Sequence, residues 1–126
     1  MDYKGNYLYV FPNASDLDAQ KMPKREICPV VETARLIGGK WDLIVIRYLT
    51  EGPRRFAELR SIIPGLSSRS LSTTLKQLAA KGIVARKVNH GFPVSVEYSL
   101  TRKGREMGPV VEAMRHWGEK WIVTHH

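Results

Sequence analysis

A single cysteine, Cys28, in 126 residues excludes any intramolecular disulfide. No stretch approaches the roughly 18 consecutive apolar residues of a membrane span. The opening residues, MDYKGNYLYVF, lack the basic start and long apolar centre of a secretory leader, so the expected location is cytoplasmic. Histidine is scarce: His90, His116 and the terminal His125 and His126. No Asp or Glu stands at a spacing that would complete a metal site or a catalytic triad with them. The chain is therefore expected not to be an enzyme and to need neither metal nor cofactor.

Negative charge is missing from one region in particular. Between Arg54 and Arg105 eleven Lys/Arg face two acids, Glu58 and Glu97, a net +9. The remainder holds nine Lys/Arg and ten acids, a net −1, within a total of +8. The whole excess sits on one segment. Double-stranded DNA is the partner this suggests, because neutralising phosphates and releasing their counterions is a large attraction that does not depend on sequence. An anionic membrane surface fits less well, since the segment is not one long basic amphipathic helix.

The centre of that segment, Phe56 to Val84, reads as helix, turn, helix. Phe56, Leu59, Ile62 and Ile63 mark a short amphipathic helix that breaks at Pro64-Gly65. Ser67 is a good N-cap for the next helix. Leu71, Leu75 and Leu78 then share one face, and Gly82 ends the helix. Arg69, Thr73, Lys76 and Ala80 occupy the opposite face, flanked by Ser70, Ser72 and Gln77. A rod with a greasy back and a small, polar, basic front suits the major groove of B-DNA. The plainer alternative is an ordinary amphipathic surface helix.

Around this centre the chain organises into a mostly α, α+β domain over residues 27–123. Residues 1–26 form an N-terminal arm, with strand-like Tyr7 to Phe11; it is either flexible or packed on a partner subunit. Residues 124–126 are a tail, native or tag-derived. A first helix begins at Cys28-Pro29, with Val30, Val31, Ala34 and Ile37 apolar, and ends at Gly38-Gly39. A second runs from Lys40 to Thr50, with Trp41, Ile44, Val45, Tyr48 and Leu49 as its expected buried face. After Gly82 the period changes to two. Ile83 to Val88 and Val94 to Leu100 form a hairpin, the second strand burying Val94, Val96, Tyr98 and Leu100. A two-stranded hairpin directly after such a helix is a wing, with Arg86, Lys87, Asn89 and His90 at or near its tip, or else a hairpin kept basic for solubility. Thr101 caps a last helix, which Pro109 should kink or restart. Beyond it Val110, Met114, Trp117 and Trp121 recur at helical spacing, beside Val111, Gly118 and Ile122. They fit either a symmetric dimer seam, with Gly118 permitting close approach, or a fold-back onto the chain's own core.

The chain resembles the HxlR family of winged helix-turn-helix regulators, which are similar to the MarR type, over about residues 27–122. The resemblance is carried by Cys28-Pro29, Gly38-Gly39-Lys40-Trp41, Arg55-Phe56 with Glu58-Leu59-Arg60, Ile63-Pro64-Gly65-Leu66-Ser67, the leucine ladder, Gly82-Ile83-Val84, Val96 to Thr101 with Lys103-Gly104, and Trp117-Gly118. It implies a cytoplasmic transcription factor that pairs as a homodimer through its first and last helices and often represses a nearby gene from a two-fold operator. Val31, Ala34, Val110, Met114, Trp117, Gly118 and Trp121 are then the interface candidates. Where relatives carry an arginine after a pair of prolines, this chain has Phe92-Pro93-Val94-Ser95. That leaves the wing contact to Arg86, Lys87 or His90.

The DNA-binding candidates are thus Arg69, Ser70, Thr73, Lys76 and Gln77 on the helix, Arg86, Lys87 and His90 on the wing, and Arg54, Arg55 and Arg60 for the backbone. Cys28 stands before the helix-first proline, with Lys24 and Arg25 near in sequence. The helix's positive end and those cations favour thiolate and hence reactivity, and the resemblance implies redox or electrophile sensing at this position. The alternative is a small buried apolar side chain. Two other functions stay open. One is a regulator sensing an unidentified small-molecule inducer in its dimer cleft. The other is a winged-helix protein–protein adaptor, which would want an uncharged or acidic outer face where this chain has Arg69 and Lys76.

Overall fold

The structure, a computed structural model, describes residues 27–123. The expected arm, the tail, and Lys24 and Arg25 lie outside the described residues. The chain divides into two units between Gly38 and Gly39.

In the first unit α1 spans Pro29–Leu36, with proline in its first turn and Cys28 as N-cap. Its first turn closes by a bond from Glu32 N–H to the Cys28 carbonyl at 3.0 Å. None of its residues is buried; Val30 and Val31 are exposed. It stops where expected. A Cβ on Gly38 would stand 2.7 Å from the Ala34 carbonyl oxygen, so only glycine lets the chain turn away there.

In the second unit α2 spans Asp42–Leu49, β1 Arg54–Arg55, α3 Phe56–Ile62, α4 Ser68–Ala80, β2 Val84–Asn89, β3 Ser95–Leu100, α5 Arg102–Arg105 and α6 Gly108–Gly118. A π-helical turn, Glu119–Val123, follows α6. The core is drawn from Val45, Ile46 and Leu49 of α2, Leu59 and Ile63 at α3, Leu71, Leu75 and Leu78 of α4, and Ile83, Val84 and Leu100 at the base of the hairpin. Each such side chain, fully buried, contributes on the order of 2 kcal/mol by leaving water.

Three expectations change. The inward face of α2 is Asp42, Val45, Ile46 and Leu49, while Trp41, Ile44 and Tyr48 are half-buried. The helix is turned so that the 42/45/46/49 stripe meets the core, and Ile44 and Tyr48 line an open groove instead. The hairpin belongs to a three-stranded antiparallel sheet in the order β1-β3-β2, with Arg54 opposite Tyr98 and Arg55 opposite Glu97. Two residues are too short to show a periodic signal, so β1 was invisible to pattern. Third, β3 does not alternate cleanly. Only Leu100 is fully buried, Ser95 to Ser99 are all half-buried, and Val94 is exposed. A central strand shields even its polar residues with neighbours on both edges. Burial also falls from the Val84–Leu100 pair at the base to the Asn89–Ser95 pair at the outer end.

Pro109 restarts the last helix. Thr101 Oγ1 accepts from Gly104 N–H at 3.1 Å and caps the short α5; α6 then begins afresh with Pro109 in its first turn. On one flank of α6, Arg115 bonds both Glu112, at 2.8 Å, and Glu119. Hydrogen bonding from Arg115 holds the Glu112 carboxyl below the usual carboxylate range. No described helix is long and apolar enough to cross a membrane.

Candidate nucleic-acid interface

α4 is positioned by its start, its back and the turn before it. Ser67 Oγ accepts from Ser70 N–H at 3.0 Å, satisfying a first-turn donor. The turn from α3 passes through Gly65 at φ +75°, and the helix ends at Gly82, also at φ +75°. Both are left-handed conformations that favour glycine. A hydrogen bond from Arg60 Nη1 to Ser68 Oγ joins α3 to the first turn of α4. Leu71, Leu75 and Leu78 are buried together with Thr74, leaving Arg69, Thr73, Lys76 and Gln77 exposed and Ser70 half-buried. The outer face is therefore the one expected.

The wing differs in detail. Arg86 and Lys87 lie in the shaft of β2, opposite Tyr98 and Glu97, and are exposed. Consecutive strand residues point to opposite faces, so these two side chains leave the sheet on different sides. His90 stands at the exposed end of the hairpin, beside a fully exposed Phe92. Arg55 is exposed. Arg54 is half-buried and pairs with Glu51 at 2.9 Å. Glu51 also holds Arg47 at 2.9 Å, and hydrogen bonding from Arg47 keeps its carboxyl below the ordinary range. The side chains of Arg54 and Arg60 thus have intramolecular partners, and Arg55 N–H donates to Glu58 at 2.7 Å; among the described residues the side chains of the other eight DNA-binding candidates show no hydrogen bond or ion pair.

Two concave features were not expected. A cleft of about 270 Å³ lies between the start of α2 and the face of α4, lined by Gly39 to Asp42 and by Arg69, Ser70, Thr73, Thr74 and Gln77. Asp42, 2% exposed, accepts from Gly39 N–H at 3.3 Å and pairs with Lys81 Nζ at 3.5 Å, joining the start of α2 to the end of α4. Second, an apolar groove of about 370 Å³ lies between α2 and α6, lined by Leu43, Ile44, Tyr48, Val111 and Met114 with Arg47 and Arg115. The sequence signal for the cleft is the Gly39-Lys40-Trp41 run ahead of α2, which pattern alone reads as the start of a helix and a core tryptophan.

The dimer candidates are open to solvent. Val110, Met114, Trp117 and Trp121 of the last helix are 42 to 60% exposed. Val31 and Ala34 are exposed on α1, and Gly118 is half-buried with nothing within 4 Å of where its Cβ would be.

A model of the HxlR-like helix-turn-helix family matches residues 36–126. The chain belongs to the HxlR family. A transcriptional regulator of the HTH type from Bacillus subtilis, YybR, is 46% identical over 97 residues, 77% of this chain and 78% of that protein. Among solved structures, the redox regulator HypR in its oxidized form superposes with a TM-score of 0.69 at 46% identity, covering 74% of this chain and 96% of HypR. The reduced form of the transcriptional regulator YodB from B. subtilis superposes with a TM-score of 0.68 at 36% identity, covering 79% and 99%. The protein is a winged-helix transcriptional regulator of HxlR type, DNA-binding and not an enzyme. The resemblance drawn from the Cys-Pro opening, the leucine ladder and the Val-Glu-Tyr strand identified the right family.

Proposed function

We propose that the protein is a homodimeric repressor that binds a two-fold operator and releases it when Cys28 is oxidised or alkylated. The observation that carries this is the face of α4: leucines fully buried behind, with Arg69, Thr73, Lys76 and Gln77 exposed in front. Glutamine reads adenine N6/N7, a threonine methyl contacts the thymine methyl, and the cations Arg69 and Lys76 meet base edges or the phosphates beside them. Arg86, Lys87 and His90 reach phosphates or the minor groove beside the recognition helix, and Arg55 holds the backbone with Arg54 and Arg60. Half-sites then lie about one turn apart, roughly 34–36 Å. Selecting bound fragments from the source genome, with and without thiol oxidants, tests the whole reading. Enrichment of no two-fold site would refute it.

Lys76→Ala should weaken binding to all sequences alike and flatten the plot of log affinity against log salt by about one unit. An unchanged slope in a titration would remove Lys76 from the phosphate contacts.

Cys28 is a partly exposed thiol at the N-cap of α1, with no side-chain capping bond. Such a position favours reactivity over inert burial, and HypR, a relative in structure, is a redox regulator. Cys28→Ser should keep operator affinity in reducing buffer and lose the response to peroxide or quinone. A serine variant that releases DNA along the wild-type titration curve would end the sensing role. Should regulation run instead through an inducer, the groove between α2 and α6 is where a small apolar molecule fits.

A further inference from the structure

We infer that the cleft between the start of α2 and the recognition helix seats a backbone phosphate of the bound DNA, held by Lys40 from α2's side and Arg69 from α4's. The inference rests on the DNA-binding reading and adds to it a contact from outside the helix-turn-helix. The mouth of the cleft is cationic. Lys40, Arg69, Thr73 and Gln77 are exposed, and among the described residues neither Lys40 nor Arg69 is engaged by a carboxylate. The Lys40 ammonium lies 5.1 Å from the Trp41 ring centroid, so the indole steers the cation without neutralising it. The one acid in the lining, Asp42, is buried with its charge met by Lys81 and Gly39 N–H.

The floor points the same way. Thr74 is 6% exposed, lines the cleft, and its hydroxyl makes no hydrogen bond among the described residues. Leaving a buried donor unmet costs about 1–3 kcal/mol, so an unpaired hydroxyl beneath a cationic opening marks a place built for an acceptor. Trp41 keeps the cleft in register with the recognition helix: its Cη2 lies 3.9 Å from where a Cβ on Gly65 would be, in the turn leading to α4. A phosphate seated here flanks the groove that α4 enters. It fixes the helix's depth and angle while reading no base.

The test measures wild type, Lys40→Ala, Arg69→Ala and Thr74→Val on one mixed-sequence duplex of about two helical turns, across a chloride titration. Lys40→Ala should bind roughly tenfold more weakly, with a salt slope shallower by about one, and Lys40→Arg should restore both. Thr74→Val should melt at or above the wild-type temperature, because it removes an unmet hydroxyl, and yet bind DNA several-fold more weakly. A Lys40→Ala slope equal to wild type while Arg69→Ala becomes shallower overturns the inference and leaves the DNA-binding reading standing. So does Thr74→Val binding as wild type. Inorganic phosphate displacing DNA from wild type but not from Lys40→Ala, at matched ionic strength, would support a phosphate seat shared with the duplex. Wild type showing no salt-dependent binding to the duplex would remove the DNA-binding reading itself.

Discussion

Trp117→Glu should leave a folded protein that no longer pairs and that binds its operator on the order of 10²–10⁴ times more weakly. Trp117 is 60% exposed and Trp121 59%. With Val110 and Met114 they form one stripe at spacings of four, three and four, and the Arg115–Glu112–Glu119 cluster takes another flank of the helix. Trp117 is mostly exposed in the single chain, so circular dichroism should change little, while the melting temperature should lose its dependence on protein concentration. Across a seam between two copies, the introduced carboxylate would be buried without a partner, which costs several kcal/mol. The loss of affinity follows from linkage. A dimer binds its second half-site at the high effective concentration set by the first, and a monomer forfeits that gain. Sedimentation equilibrium and operator gel shifts measure the two effects. A variant that stays dimeric would show that the stripe is covered by something other than a second copy.

Gly104→Ala should lower stability by about 3 kcal/mol, a fall in melting temperature on the order of 10 °C or more for a domain of this size. The cause is space rather than backbone freedom. An added Cβ would stand 2.3 Å from the Ile83 carbonyl oxygen, with Leu100 Cδ2 at 3.0 Å and Ile83 Cγ2 at 3.1 Å. That carbonyl cannot retreat cheaply, because it accepts from Thr101 N–H at 3.0 Å, and the Thr101 hydroxyl donates to the adjacent Gly82 carbonyl at 2.6 Å. Those bonds fasten the base of the wing to α5. The alanine must therefore either break them or push α5 off the hairpin. Gly108→Ala is the matched control, since nothing lies within 4 Å of its Cβ position, and it should melt close to wild type. Both variants are compared at one protein concentration, because the melting transition of a dimer depends on concentration. A Gly104→Ala protein that melts with wild type would mean that α5 is not held against the hairpin as described.

The sequence by itself determined the family, the order of helices and hairpin, and the polar face of α4. These depend on local rules: a serine cap three residues before the N–H it serves, leucines at spacings of four and three, glycines where φ turns positive, a period of two in the wing. Such interactions join residues a turn or a strand apart, so the linear order already contains them. Tertiary structure alone decided the rest. The Asp42–Lys81 pair, the seat of Gly104 on Ile83, the third strand at Arg54–Arg55 and the cleft over Thr74 all join residues far apart in the chain. Each depends on how an element is rotated about its own axis. Hydrophobic spacing fixes that rotation only to within a broad stripe, and close packing in the core settles the remainder.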